Sequence, residues 1–235
     1  MKPFIQKFGI TIYLLILMLH LFAQLLGYTS IQYGSKLILL PLLMLFFNVQ
    51  PFFATAAKSK YLILIGLFGS FLGDAFLLSE AYFIPGMIAF MTTHIFNIIF
   101  FSKIYSLKQP KSTAYKVSIF MLLFFCWFIY FQLKTAIGPL IYPILVYMAL
   151  ICSAALMAIH VSNYKPTKII ANLFWIPGML FFIASDTVLA FNKFSWSTQS
   201  PIDNIGLVTM ATYGIAQLLL VKGFQLYFAK ESNTA

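Results

Sequence analysis

Two aspartates stand where an acidic side chain is costly. Asp74 and Asp186 each lie inside a long apolar run. An ionisable group in hydrocarbon costs roughly 2.5–3.5 kcal/mol even on the mild insertion scale, so such groups persist where they face a protein interior and serve a purpose. The other acids are placed cheaply: Glu80 and Asp203 at the ends of apolar runs, Glu231 in the C-terminal tail. Neither deep aspartate has a basic residue close to it in sequence. Two such carboxyls in one pocket would not both ionise, which leaves one protonated acid beside one carboxylate. That pair suits general acid and base chemistry. The plainer reading gives each acid a structural hydrogen bond within or between helices.

Other polar residues fall inside apolar runs too. His94 and Asn97 are three apart and share a helix face, with Thr93 beside them. His94 reads either as a satisfied core histidine or as a pocket-lining group. Tyr213 and Gln217 share a face four residues apart, near Thr209 and Thr212; hydrogen bonding between helices is their plainer role. Zinc ligation is not expected, because His160 sits near the cytoplasmic end of its run, away from the acids, and Cys126 and Cys152 are dispersed. No metal and no cofactor is expected.

The elements that must position these groups follow from composition. Of 235 residues, 62% are hydrophobic and 9% charged, against about 25% charged in a soluble domain. This excludes a water-soluble globule and, by its hydrophobicity, a disordered chain. The net charge of +10 does not indicate nucleic acid, because all fifteen basic residues are Lys and they lie scattered between the apolar runs. Continuous runs of about twenty residues exclude a barrel of short alternating strands. The expected fold is all-α, a polytopic membrane protein.

Eight apolar segments are read, at 8–27, 37–54, 61–79, 82–102, 116–133, 138–160, 168–191 and 203–227. The linkers are too short for a soluble domain, so residues 1–235 form a single eight-helix transmembrane domain. The first segment is too long for a cleavable signal. Alternate ends of the segments carry twelve Lys against three, the three being Lys36, Lys134 and Lys193. By the positive-inside rule both termini are cytoplasmic. Asp74 lies five residues before Ser79 and Asp186 six before Asn192, so both sit roughly 8–9 Å below the outer edge at a rise of about 1.5 Å per residue. Equal depth permits a shared pocket, while sequence leaves open whether helices three and seven are neighbours. Gly66, Gly69, Ser70 and Gly73 form a seam of small residues beside Asp74. Such a seam permits close helix packing and turns Asp74 into the bundle.

These residues resemble a known family. Gly73-Asp74-Ala75-Phe76-Leu77 is similar to the GDxxL signature of the YhhN family, which includes the lysoplasmalogenases. Gly86 to Phe90 followed by His94 is similar to its G-x3-F-x3-H segment, and Phe182 to Ala190 to its F-x-x-SD-x-x-LA signature, which contains Ser185 and Asp186. Thr212 to Leu218 is similar to its TYYxAQ ending, and Lys36 with Pro41-Leu42-Leu43 to a KPxxxPLL element. Asn97, Gly214 and Leu37 depart from the family pattern.

The resemblance implies an integral-membrane hydrolase that cleaves the vinyl-ether bond of lysoplasmalogens, giving a fatty aldehyde and a glycerophospho-base. It implies Asp74 and Asp186 as catalytic groups, and His94, Asn97, Ser185, Tyr213, Gln217 and Lys36 as substrate-binding groups, with Lys36 at the phosphate. The partners are then a lysophospholipid and the lipid bilayer, not nucleic acid, and oligomeric state is unknown. The expected location is a bacterial inner membrane. Two alternatives stand beside this reading: a proton-coupled transporter, for which paired intramembrane acids and a histidine would be a relay and Pro85-Gly86 and Pro177-Gly178 helix breaks, and a hydrolase of a different lysolipid.

Overall fold

In lipid a backbone polar group has no water to turn to, so a spanning chain satisfies itself as helix. The computed structural model describes residues 2–51, 57–196 and 200–232, and among them there is no strand. We number the long helices α1 (Lys2–Leu25), α2 (Thr29–Asn48), α3 (Ala57–Phe76), α4 (Phe83–Ile104), α5 (Thr113–Ile137), α6 (Ile141–Val161), α7 (Lys168–Phe194) and α8 (Ile205–Ser232). The expected end of the second segment at residue 54 and the side chains of Lys58 and Glu231 lie outside the described residues.

Among the described residues, seven stretches are long and apolar enough to cross a membrane. One of them, Thr113–Val161, has 49 residues. As one straight helix it would run about 74 Å, more than twice a hydrocarbon core of about 30 Å. It is not straight. Gly138 breaks it with φ 61 and ψ −134, a conformation open to glycine, and a single 3-10 turn, Gly138–Leu140, starts the return. The Sγ atoms of Cys126 and Cys152 lie 3.5 Å apart although 26 residues separate them; a straight helix would hold them about 39 Å apart. The stretch is therefore a hairpin of α5 and α6.

Large apolar side chains remain uncovered on the helix faces, among them Phe120, Met121, Phe124 and Trp127 of α5. Contiguous faces of this kind are not tolerated in water. With the seven apolar stretches they mark a multi-pass membrane protein.

The chain divides into two compact units, Met1–Phe100 with Leu218–Ala235, and Phe101–Gln217. In the first, α1 and α2 are tied by the buried His20, whose Nδ1 lies 2.9 Å from Ser35 Oγ and 3.1 Å from Gln32 O. Leu39, Leu40, Leu43, Phe46 and Phe47 of α2 are fully buried or nearly so. The C-terminal part of α8 closes this core, with Phe224 edge-on to Phe100 at 5.0 Å. α2 ends at Asn48, as Pro51 leads one to expect.

In the second unit, Trp175 of α7 is fully buried and packs edge-on against Phe101 at 5.2 Å. It ends a π-helical turn, Ala171–Trp175. Two residues on, Pro177 has no N–H to give and its ring crowds the carbonyl four residues back. The wider turn accommodates it without unwinding α7. Pro85, at the third residue of α4, falls in the first turn, where its missing N–H costs nothing. Neither α4 nor α7 is broken mid-span, so the two Pro-Gly pairs do not form the discontinuities a transporter reading anticipates. At the other end of this unit His160 is buried between the rings of Tyr105 (4.7 Å) and Tyr115 (5.3 Å), its Nε2 3.1 Å from Ser106 O.

Candidate functional site

The small-residue seam of α3 does what its spacing suggests. A Cβ on Gly69 would stand 2.8 Å from Ala89 O of α4, and one on Gly73 would stand 2.5 Å from the Phe90 ring. Thr93 crosses this contact, its hydroxyl donating to Gly66 O at 2.8 Å and lying 3.0 Å from Ser70 Oγ. Van der Waals contact of this closeness holds α3 and α4 together where apolar burial alone supplies no drive.

Asp74 lies next to that seam and is buried. α3 ends at Phe76, not Ser79, which puts Asp74 in its last turn. The Leu78 and Ser79 amides bond back to Ala75 and Phe76, tightening the chain out of the helix. A carboxylate at a helix C-terminus faces the negative end of the dipole. The offset is Lys36 of α2. Its Nζ lies 3.7 Å from Asp74 Oδ1, with side-chain exposures of 15% and 4%. The expectation that Asp74 has no cationic partner is corrected: the partner comes from another helix, 38 residues earlier. Lys36, which the family resemblance implies as a phosphate contact, stands beside Asp74 as its counter-ion; a contact to substrate phosphate stays a proposal. The fully buried Tyr13 of α1 is also within electrostatic reach of the Asp74 carboxylate.

His94 and Asn97 of α4 are buried on one helix face, as their spacing predicts. Both belong to the first unit with Asp74 and Lys36.

Asp186 belongs to the second unit and is half-buried on α7, eight residues before Phe194. Measured from the ends of their own helices, the two aspartates therefore do not match as the sequence suggests. Asp186 also has a partner from another helix: the Tyr147 hydroxyl of α6 donates to its Oδ2. Sequence reasoning missed Tyr147, one of thirteen tyrosines and isolated in an apolar run. The available signal was depth. Tyr147 is six residues into α6 and Asp186 eight from the end of α7, a difference of about 3 Å along the rise.

Ser185, beside Asp186, is buried and gives its hydroxyl proton to Thr209 O at 3.0 Å, tying α7 to α8. Tyr213 packs edge-on against Phe182 at 5.5 Å. Tyr213 and Gln217 are both buried. Thr209 and Thr212 return their hydroxyls to their own helix, at Ile205 O and Val208 O. Among the described residues, no three His, Cys, Asp or Glu side chains converge as a metal-ligand group.

Comparison with known proteins matches the YhhN family over residues 31–224. Lysoplasmalogenase TMEM86A from Homo sapiens is 30% identical over 175 residues, covering 72% of this chain and 67% of that protein. No solved structure matches.

Proposed function

Because the chain belongs to the YhhN family, we propose that it is a membrane-embedded lysoplasmalogenase that hydrolyses the vinyl-ether bond of lysoplasmalogens to a fatty aldehyde and a glycerophospho-base. The observation that carries this reading is the similarity to the human lysoplasmalogenase along most of both chains, in a protein whose two deep acids each have a polar partner from another helix.

The chemistry needs one acid and one base and draws on no cofactor. Asp74, paired with Lys36, is the carboxylate. Asp186, held by a neutral phenol, is the proton donor. Asp186 protonates the alkenyl carbon remote from the ether oxygen. The π pair forms the new C–H bond, and the oxygen lone pair yields an oxocarbenium ion. Water adds to that cation as Asp74 takes its proton, giving a hemiacetal. On collapse the hemiacetal hydroxyl returns a proton to Asp186, and Asp74 passes its proton to the departing glycerol oxygen. Both carboxyls end as they began. The logic parallels two-carboxylate acetal cleavage. His94, Asn97, Ser185, Tyr213 and Gln217 are proposed to line the path of the lysophospholipid. The proposed topology is a single domain of eight crossings, the α5–α6 hairpin counting as two, with both termini cytoplasmic in a bacterial inner membrane.

The test is aldehyde release from lysoplasmalogen by the detergent-purified protein. The wild type is expected to be active, and Asp74→Asn and Asp186→Asn to lose about 10²- to 10⁴-fold in kcat. Activity that survives both substitutions removes the mechanism. A silent wild type that moves substrate across proteoliposomes is a carrier instead, and one that cleaves only other lysolipids has a different substrate.

A further inference from the structure

Tyr147 has no place in the family signatures found in this sequence, yet its hydroxyl is directed at one oxygen of a proposed catalytic acid. We infer that Tyr147 is a positioning residue that makes Asp186 a directed proton donor: by donating to Oδ2, its hydroxyl confines the acid proton to Oδ1. The inference rests on the hydrolase reading for the identity of the proton's acceptor.

The argument begins with what each group can do. A phenol has one proton, and a carboxyl has two oxygens that compete for the acid proton. An O–H donor at Oδ2 occupies that oxygen as acceptor, so the carboxyl proton resides on Oδ1. Protonation of an alkenyl carbon is demanding, because carbon offers no lone pair and the O–H must point along the π lobe. An acid whose proton hops between two oxygens is aligned only part of the time. The same hydrogen bond strengthens as the reaction proceeds. When Oδ1 releases its proton, the negative charge spreads to Oδ2, where a donor already waits, and a hydrogen bond to a charged acceptor is about twice as strong as one to a neutral acceptor. The phenol thus favours the transition state over the ground state, as catalysis requires.

The local structure supports a held rather than incidental contact. Tyr147 and Asp186 are both half-buried, 39 residues apart, on α6 and α7 of the same unit. On either side of Asp186 in the chain, Ser185 is bonded to Thr209 O and Thr187 to Ile183 O. These bonds fix the helix that carries the acid. Asp74 presents the contrast, since its Lys36 partner favours the carboxylate and does not select which oxygen bears a proton.

Infrared spectroscopy on the purified protein tests this without substrate. The wild type is expected to show the C=O stretch of a protonated carboxyl that Asp186→Asn abolishes. Tyr147→Phe, which removes only the hydroxyl, is expected to move that band to higher frequency. If Tyr147→Phe does not fold, site-specific difluorotyrosine at position 147, a stronger donor, is expected to move it to lower frequency. In turnover, Tyr147→Phe is expected to lose about 10- to 100-fold in kcat with KM nearly unchanged. An absent Asp186 band, a band that ignores both changes at position 147, or a loss confined to KM overturns the inference. A band that responds in a protein with no lysoplasmalogen activity overturns the hydrolase reading alone and leaves the Tyr147–Asp186 geometry standing.

Discussion

The Lys36 ammonium on α2 lies 3.7 Å from the Asp74 carboxylate in the last turn of α3, and both side chains are largely withdrawn from solvent. Removing one partner of such a pair leaves the other uncompensated, at about 3 kcal/mol. Lys36→Met is expected to lower the thermal midpoint in detergent and to abolish aldehyde release. Adding Asp74→Asn to it is expected to restore most of the stability and none of the activity. A double variant as unstable as the single one would show that the ion pair is not the cause.

The α3–α4 contact makes a graded prediction. A Cβ on Gly69 meets backbone, Ala89 O at 2.8 Å, whereas one on Gly66 finds its nearest atom at 3.6 Å. Gly69→Ala is expected to cost about 1–3 kcal/mol by overpacking. Gly66→Ala is expected to be neutral or slightly stabilising, since alanine is the better helix former by about 1 kcal/mol. Equal midpoints for the two variants in thermal unfolding would contradict this packing.

Reversal of the chain at Gly138 brings Cys126 and Cys152 together. Oxidation with copper–phenanthroline is expected to form one intramolecular disulfide, seen as loss of both maleimide-reactive thiols from the denatured protein. Closure needs the sulfurs to approach from 3.5 Å to about 2.05 Å, within reach of side-chain rotation. Two thiols that stay fully reactive would argue against the hairpin.

Gly138 itself has open space around it but a backbone conformation that side chains avoid. Gly138→Ala is expected to cost about 1–3 kcal/mol from conformation alone. Thermal unfolding of this variant, beside Gly34→Ala at another uncrowded glycine with ordinary φ, isolates that cost.

Chemistry carried by Asp74 and Asp186 alone is expected to be indifferent to chelators. Aldehyde release measured after dialysis against EDTA should equal that of the untreated protein. Loss of activity that is regained with a divalent metal would replace the two-carboxylate mechanism.

Much of this protein is written along the chain. Helix in every long apolar run follows from composition, because lipid offers a backbone amide no other partner. The close approach of α3 and α4 follows from Gly69 and Gly73 standing one turn apart, and the burial of Asp74 and His94 from the cost of exposing them to acyl chains. Helix ends are less legible: α2 begins at Thr29, well before its apolar run, because amides at an interface remain helical after the side chains turn polar. What tertiary structure alone decided is the company each acid keeps. Periodicity assigns a residue a face and a depth but never names the neighbouring helix. Asp74 therefore seemed to lack a cation until α2 was laid beside α3, and Tyr147 was one aromatic among many until α6 met α7. Those two pairings, not the aspartates by themselves, are what the proposed division of labour between a carboxylate and an acid rests on.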